Sequence, residues 1–352
     1  MRWAGVRGAA IGLIALGGAL GCQAAAPSPA PPGAAAAAPG EPAPAAPERI
    51  RAIYSSPTGG HSMLWVAKEA GFFDQNNLDV SLDLLRGNQQ VLATLMTGDI
   101  DVAQNTGTSV IDAAIASQNI VAIGAFTDRF TYKLIVDPSI RQVADLRGLG
   151  FASSSPGSTD EVAARKSFQA LGVDPRDIDF LSFQDQNGRV AAMRQGVAKA
   201  TLVVPPNDAV LKKAGFAELL DTADLDLPYV GIAPSVRPDY LRDHRPALER
   251  YMRAMTQAIA YYKHNPEYAK RVVGKYMELD DPDVLEAAAS YYVKVMPRVP
   301  YVPEAGVRAM VDDAAAQDPA VRQIDLASLY DNSLVRKVEE SGLIKELYPE
   351  DR

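Results

Sequence analysis

The sequence predicts an α/β fold of two lobes closing like a clam-shell, with a helical extension at the C-terminus. Three observations carry this. Strand-like and helix-like hydrophobic periods alternate from residue 49 to about 204, which implies βαβ units around mainly parallel sheets. The alternation falls into two successive blocks with the same grammar. Beyond Asp226 it gives way to long amphipathic helices.

In the first block, residues 49–54 read as a strand, and Met63, Val66, Ala67 and Ala70 mark one face of a helix that Gly71 ends. Residues 78–84 form the next strand, and 89–96 a helix with Val91, Leu92, Leu95 and Met96 inward. A short strand at 101–103 follows, then a strongly strand-like run at 119–127. The second block repeats the order: strand 150–153, helix 158–171, strand 178–183, helix 189–195, strand 200–204. The blocks share a phrase. LATLMTGDIDVA from Leu92 aligns with VAAMRQGVAKAT from Val190, each an apolar helix ended by glycine and followed by a strand, with Lys199 in place of Asp101.

Residues 229–235 read as a strand returning to the first lobe. Leu248, Met252, Met255, Ile259 and Tyr262 line one helix face, and further helices are expected over 267–277, 283–295, 304–317 and 333–341. Pro266, Pro282 and Pro303 stand at their starts, where proline is tolerated. The Met and Tyr stripes of these helices read as core packing. The expected boundaries are 49–134 with 231–352 for lobe 1 and 135–230 for lobe 2, with hinges at Asp137, Pro138 and around Tyr229. Ligands of open α/β sheets lie beyond the strand C-termini, so the cleft between lobes is the expected site.

The bulk composition excludes several partners. With 352 residues, 47% hydrophobic, the chain can bury two cores. A net charge of −8 with no basic run argues against nucleic acid, whose phosphates demand clustered Lys and Arg. One cysteine, Cys22, allows neither an internal disulfide nor a cysteine metal cluster. Arg2 and Arg7 precede an uncharged apolar run at 9–20, too short for a stable span and laid out as a secretory signal over 1–21. Gly18-Ala19-Leu20-Gly21-Cys22 resembles a bacterial lipobox, with Ala19 where leucine is commoner. Cleavage there and acylation of Cys22 would tether the protein to a membrane face. The Ala/Pro-rich stretch at 22–48 reads as a linker, reaching about 3.1 Å per residue when extended.

The most informative stretch starts at Asp145. A strand runs through Ser153-Ser154-Ser155 and Gly157 into a helix, placing hydroxyls and unpaired backbone N–H groups at the positive end of a helix dipole. No catalytic group accompanies it, and its expected job is to hold something polar. HExxH, GxSxG, a second cysteine and clustered histidines are all missing from the sequence. The GLG at 148–150 enters a strand instead of leaving one. Neither a metal nor a cofactor is expected.

Four segments carry a resemblance to a known family: HSMLWVAKEAGFFDQNNLDV at 61–80, LATLMTGDIDVAQNT at 92–106, DLRGLGFASSSPGST at 145–159 and RVAAMRQGVAKATLVVPP at 189–206. In this order they resemble the solute-binding proteins of ABC importers for nitrate, sulfonates, taurine and thiamine-pyrimidine precursors. The resemblance implies a type 2-like periplasmic-binding-protein fold and an extracytoplasmic, monomeric receptor that closes on its solute and delivers it to a membrane permease. Two other functions stay open. One is a pyrimidine-precursor-synthase-like enzyme of the same fold, which an export signal contradicts. The other is a receptor reporting to a membrane sensor.

Candidate contacts follow. In the loop 55–61, Thr58, Gly59 and His61 could approach a ligand; the plain alternative is an ordinary βα turn with a solvated histidine. Asn105 and Thr106 occupy the equivalent place in the next unit, where Asn105 could instead only start the following helix. Ser155, Gly157, Ser158 and Thr159 are the strongest candidates. Ser158 with Glu161 fits a capping box that would use the Ser158 hydroxyl locally, and Asp160 and Glu161 in the first turn offset the dipole. A neutral or zwitterionic solute is therefore as tenable as a sulfonate. Pro206 and Asn207 match the family's second-lobe contact loop, though Asn207 could serve only as an N-cap. Arg86 and Arg129 fall near the cleft mouth and stay outside the core set, Arg129 having Asp128 beside it.

Overall fold

The computed structural model describes residues 46–116, 119–183, 186–316 and 318–349. The expected signal segment, Cys22 and the linker up to residue 45 lie outside the described residues. Two five-stranded sheets organise the rest. In chain order the strands are β1 (Glu48–Tyr54), β2 (Leu78–Leu84), β3 (Val102–Thr106), β4 (Val121–Ala122), β5 (Lys133–Val136), β6 (Gly150–Ser153), β7 (Asp179–Ser182), β8 (Ala200–Val203), β9 (Ala217–Asp221) and β10 (Ile232–Val236).

The first sheet runs β2-β1-β3-β10-β4 and the second β7-β6-β8-β5-β9. In each, three strands of the local βαβ units are parallel, and the fourth is an antiparallel strand that enters directly from a crossover. The shared phrase is real at the level of structure. Gly98 and Gly196 both take left-handed φ, +83° and +73°, and each ends its helix. The exchanged charges then find different partners. Asp101 is buried against Arg51 at 2.6 Å, whereas Lys199 reaches Asp137 at 2.8 Å.

Two elements differ from the sequence reading. The strand expected over 119–127 shrinks to β4, because the backbone after it divides its bonds. Ile123 and Phe126 N–H donate to Pro234 and Ile232 of β10, while Ala125 N–H donates to Pro300. The lobes are joined not at Asp137–Pro138 but by two paired segments upstream of β5 and β10. Tyr229 N–H donates to Asp128 O (3.1 Å), Gly231 N–H to Thr127 O (3.0 Å), and Tyr132 N–H to Thr222 Oγ1 (2.9 Å). Asp137 lies beyond β5, fixed by Ser139 and Lys199.

The C-terminal helices pack as the periodicity predicts. Leu248, Met252, Met255, Ile259 and Tyr262 of helix Arg245–His264 are all fully buried in the core against β1, β2 and helix Ser62–Glu69. Pro266 and Pro282 open their helices, and the Asp281 carboxylate caps the second of these by accepting from the N–H groups of Asp283 and Val284. Helix Pro282–Val295 contacts both the turn at Gly59–His61 and helix Asn207–Lys213, so it spans from the first sheet's side to the second's.

Candidate functional site

The candidate residues follow the C-terminal ends of β1 and β3 in the first sheet and of β6 and β8 in the second. After β1, Thr58 precedes the 3-10 turn Gly59–His61, its hydroxyl 3.3 Å from Ser56 Oγ. Gly59 and Gly60 are buried where helix Pro282–Val295 lays the Tyr292 ring on Gly59 and brings its hydroxyl close to Gly60. His61 is not the solvated histidine of a plain turn. It is fully buried, Gln104 Nε2 lies 3.3 Å from Nδ1 and Ser56 Oγ 3.4 Å from Nε2, and burial presses its pKa down to about 3. The ring is neutral at pH 7.

Asn105, also buried, accepts the Thr106 N–H through Oδ1 at 2.9 Å, and Thr106 Oγ1 lies 2.8 Å from Thr108 Oγ1. These bonds shape the turn ahead of helix Thr108–Ile115, whose N-cap position is held by Gly107 and not by Asn105.

In the second sheet the capping box does not form. Ser158 holds the N-cap position without a side-chain cap, and its Oγ is buried with no partner. Glu161 reaches one residue further back, accepting the Gly157 N–H at 2.6 Å and pairing with Arg165 at 2.6 Å. Ser155 and Gly157 are exposed. Thr159 comes against the Tyr229 hydroxyl but falls short of a hydrogen bond, which leaves that buried hydroxyl without a partner. Pro206 follows a cis Pro205-Pro206 bond and itself takes the N-cap position of helix Asn207–Lys213, so Asn207 is the first helical residue and not the cap. Arg86 is exposed, and Arg129 donates to neighbouring Asp128 at 2.8 Å.

Sequence reasoning missed the most deeply placed polar groups. Asp160 accepts the Ser154 N–H at 2.8 Å and pairs with Arg189 at 3.4 Å, both side chains being nearly inaccessible. Arg189 also donates to Ser154 Oγ and to Leu202 O, while its Nε has no partner. Asp208 is 3% exposed; Oδ2 lies 3.1 Å from Lys212 and Oδ1 has no partner. Tyr132, Tyr229 and Tyr292 complete the seam. Burial, followed by the Asp160 charge, pushes the Tyr132 hydroxyl up, and burial does the same at Tyr229 and Tyr292. The Asp160 and Arg189 charges act on the Tyr132 hydroxyl and the Asp208 charge on that of Tyr292, and helix Pro282–Val295 packs on both the turn Gly59–His61 and helix Asn207–Lys213, so groups following both sheets contribute to one polar seam. One local signal existed: Asp208 adjoins the Pro206–Asn207 pair. Nothing in the helical periodicity marked Arg189 or Tyr292 as anything but packing.

The charges crossing the seam are matched. Lys213 meets Asp281 at 2.7 Å, Lys166 meets Asp313 at 2.8 Å, and Lys294 meets Asp224 at 2.6 Å. Among the described residues no group of three His, Cys, Asp or Glu could hold a metal ion, and no helix is long and apolar enough to cross a membrane.

A protein-family model described as NMT1/THI5 like matches residues 58–269. Among curated proteins, the chain is 20% identical over 243 residues to "Putative binding protein YtlA" of Bacillus subtilis (strain 168), covering 66% of this chain and 72% of that one. Among solved structures, the periplasmic aliphatic sulphonate binding protein SsuA of Escherichia coli superposes with a TM-score of 0.67 at 20% identity, over 80% of this chain and 92% of its own. The periplasmic nitrate-binding protein NrtA of Synechocystis PCC 6803 gives 0.69 at 13% identity, over 85% and 90%. The desulfurization enzyme DszB shares the fold at 0.60 and 14% identity, over 83% and 99%.

Proposed function

The chain belongs to the NMT1/THI5-like family, and from that premise we propose that it is the extracytoplasmic solute-binding component of an ABC importer. A small polar solute, organic or anionic, binds between the two sheets and is handed to a membrane permease. The observation that carries this reading is the buried polar seam. One half contributes Ser56, His61 and Gln104 and the other Asp160, Arg189 and Asp208, with orphaned polar atoms among them. Buried unsatisfied groups cost about 1–3 kcal/mol each, and a fold that keeps several at a junction between sheets is organised for a guest. The sulfonate- and nitrate-binding neighbours support the class.

The DszB likeness favours an enzyme as second reading. Against it stands His61, the histidine at the seam. With its pKa pressed down to about 3 it is a weak base, and both ring nitrogens face protein groups, so it is poorly suited to activate a nucleophile. Lipid on Cys22 would hold the receptor at the membrane beside its permease.

The test is calorimetry and thermal shift on the purified protein across sulfonates, taurine, nitrate and formylaminopyrimidines. A true solute at 100 times its dissociation constant adds about 2.7 kcal/mol of stability. Flat responses throughout overturn this solute range, and turnover of any of them without a co-reactant favours the enzyme. Cys22→Ser should release the protein from membranes, and continued membrane association contradicts the tether.

A further inference from the structure

An oxyanion bound at a helix start needs unclaimed N–H donors and excess positive charge. At the start of helix Thr159–Ala170 the chain has supplied its own anions. The Ser154 N–H is taken by Asp160 at 2.8 Å and the Gly157 N–H by Glu161 at 2.6 Å, while the Ser158 N–H bonds Ser155 O at 3.0 Å. Among the described residues the one deeply buried guanidinium, Arg189, is balanced by Asp160 and donates to Ser154 and Leu202, which leaves only its Nε without a partner. Arg129 is tied to Asp128, and Arg86 sits exposed, where solvent screens it.

The unsatisfied groups facing this seam are mainly acceptors or hydroxyls. Asp208 Oδ1 and Gln104 Oε1 are both buried and both without partners. Both lie beside helix Pro282–Val295: Gln104 bonds His61 in the turn that Tyr292 covers, and Asp208 belongs to helix Asn207–Lys213, which the same helix contacts. Tyr291 and Tyr292 of that helix, their ring centroids 5.5 Å apart, supply aromatic surface there. A carboxylate oxygen and an amide oxygen among aromatic rings suit a nitrogen donor, and a cationic one gains from ring faces as well.

Building on the solute-binding reading above, we propose that the solute is recognised through an amine or amidine nitrogen that donates to the Asp208 carboxylate, and not through a sulfonate or nitrate oxyanion.

The experiment is calorimetry on the purified protein with benzylamine and benzamidine as nitrogen donors, benzyl alcohol as the uncharged analogue, and ethanesulfonate and nitrate as anions. Nitrogen probes should bind at least tenfold tighter than benzyl alcohol, and Asp208→Asn should abolish that advantage. Tighter binding of ethanesulfonate or nitrate overturns this assignment and leaves the solute-binding reading standing; no binding by any of the five counts against both. A second measurement needs no ligand. If Asp208 is kept for a guest, Asp208→Asn leaves the unliganded melting temperature unchanged or raises it. If it serves only its ion pair, Asp208→Asn and Lys212→Met lower the melting temperature alike, and the proposal falls.

Discussion

Gly59 faces the ring of Tyr292 so closely that a Cβ on it would overlap Cε2 and stand 2.7 Å from Cδ2. The contact joins the turn after β1 to the helix that also touches the second sheet's side. Added bulk here cannot be absorbed by a flexible side-chain tip, because the ring is buried on all sides. Gly59→Ala should cost about 1–3 kcal/mol, the range for overpacking a dense interior. Denaturant midpoints check this, and the same substitution in a Tyr292→Ala background should cost little more. Equal costs in both backgrounds would locate the strain elsewhere.

His61 makes stability depend on pH in a defined direction. Its pKa falls from 6.5 in the unfolded chain to about 3 in the fold, so below pH 6.5 the unfolded state binds the extra proton. The stabilisation is complete above pH 6.5 and is lost as pH falls toward 3, at up to about 1.4 kcal/mol per pH unit. Relative to the parent, His61→Gln should flatten the fall in denaturant midpoint between pH 6.5 and 4. Parallel curves would contradict a buried neutral ring.

Asp221 gathers Lys133 from its own sheet and Lys294 and the Tyr291 hydroxyl from helix Pro282–Val295, at 2.8, 3.1 and 2.9 Å. Burial works to raise its pKa, but the bonds from Lys133, the Ala223 N–H and Tyr291 outweigh it and hold the carboxyl below 3.8. The contribution is therefore present above pH 3.8 and lost as pH falls below it. Asp221→Asn should cost on the order of 3 kcal/mol at pH 7, and the difference from the parent in melting temperature should shrink in acid. A difference that does not shrink at all as pH falls below 3.8 would point to packing instead of charge.

Removing one partner of the Asp160–Arg189 pair strands a buried charge. Arg189→Met should cost about 3–5 kcal/mol, whereas Asp160→Asn with Arg189→Met should cost less than the sum of the two single changes, as coupled neighbours do. Urea melts of the four proteins in this cycle decide it, and strict additivity would mean the two groups act independently.

Much of this architecture is written in local signals. Gly98, Gly196, Pro266 and Pro282 each impose a backbone state that only one kind of boundary satisfies, and the Leu248 to Tyr262 stripe has a period that only a helix resolves. β5 and β9 were not legible, because four and five residues with no clean alternation become strands only through pairing with partners distant in sequence. The site divided along the same line. Loops following β1, β3, β6 and β8 could be found from strand ends and small residues. Asp160, Arg189, Asp208 and Tyr292 could not, since a charged or aromatic residue on a helix acquires meaning only from what tertiary packing sets opposite it. The Ser158–Glu161 spacing misled because Glu161 had a better-placed donor in Gly157.

The pair of segments joining the two sheets limits how they can part. Thr127 and Asp128 receive bonds from Gly231 and Tyr229, and the Thr127 hydroxyl lies where a Gly231 side chain would otherwise be. A doubly laced ribbon flexes readily out of its own plane but resists sliding and swivelling, since either would break its rungs. On the solute-binding reading, separation of the halves would then be a swing about a single axis, and a solute would enter from the side remote from that pivot.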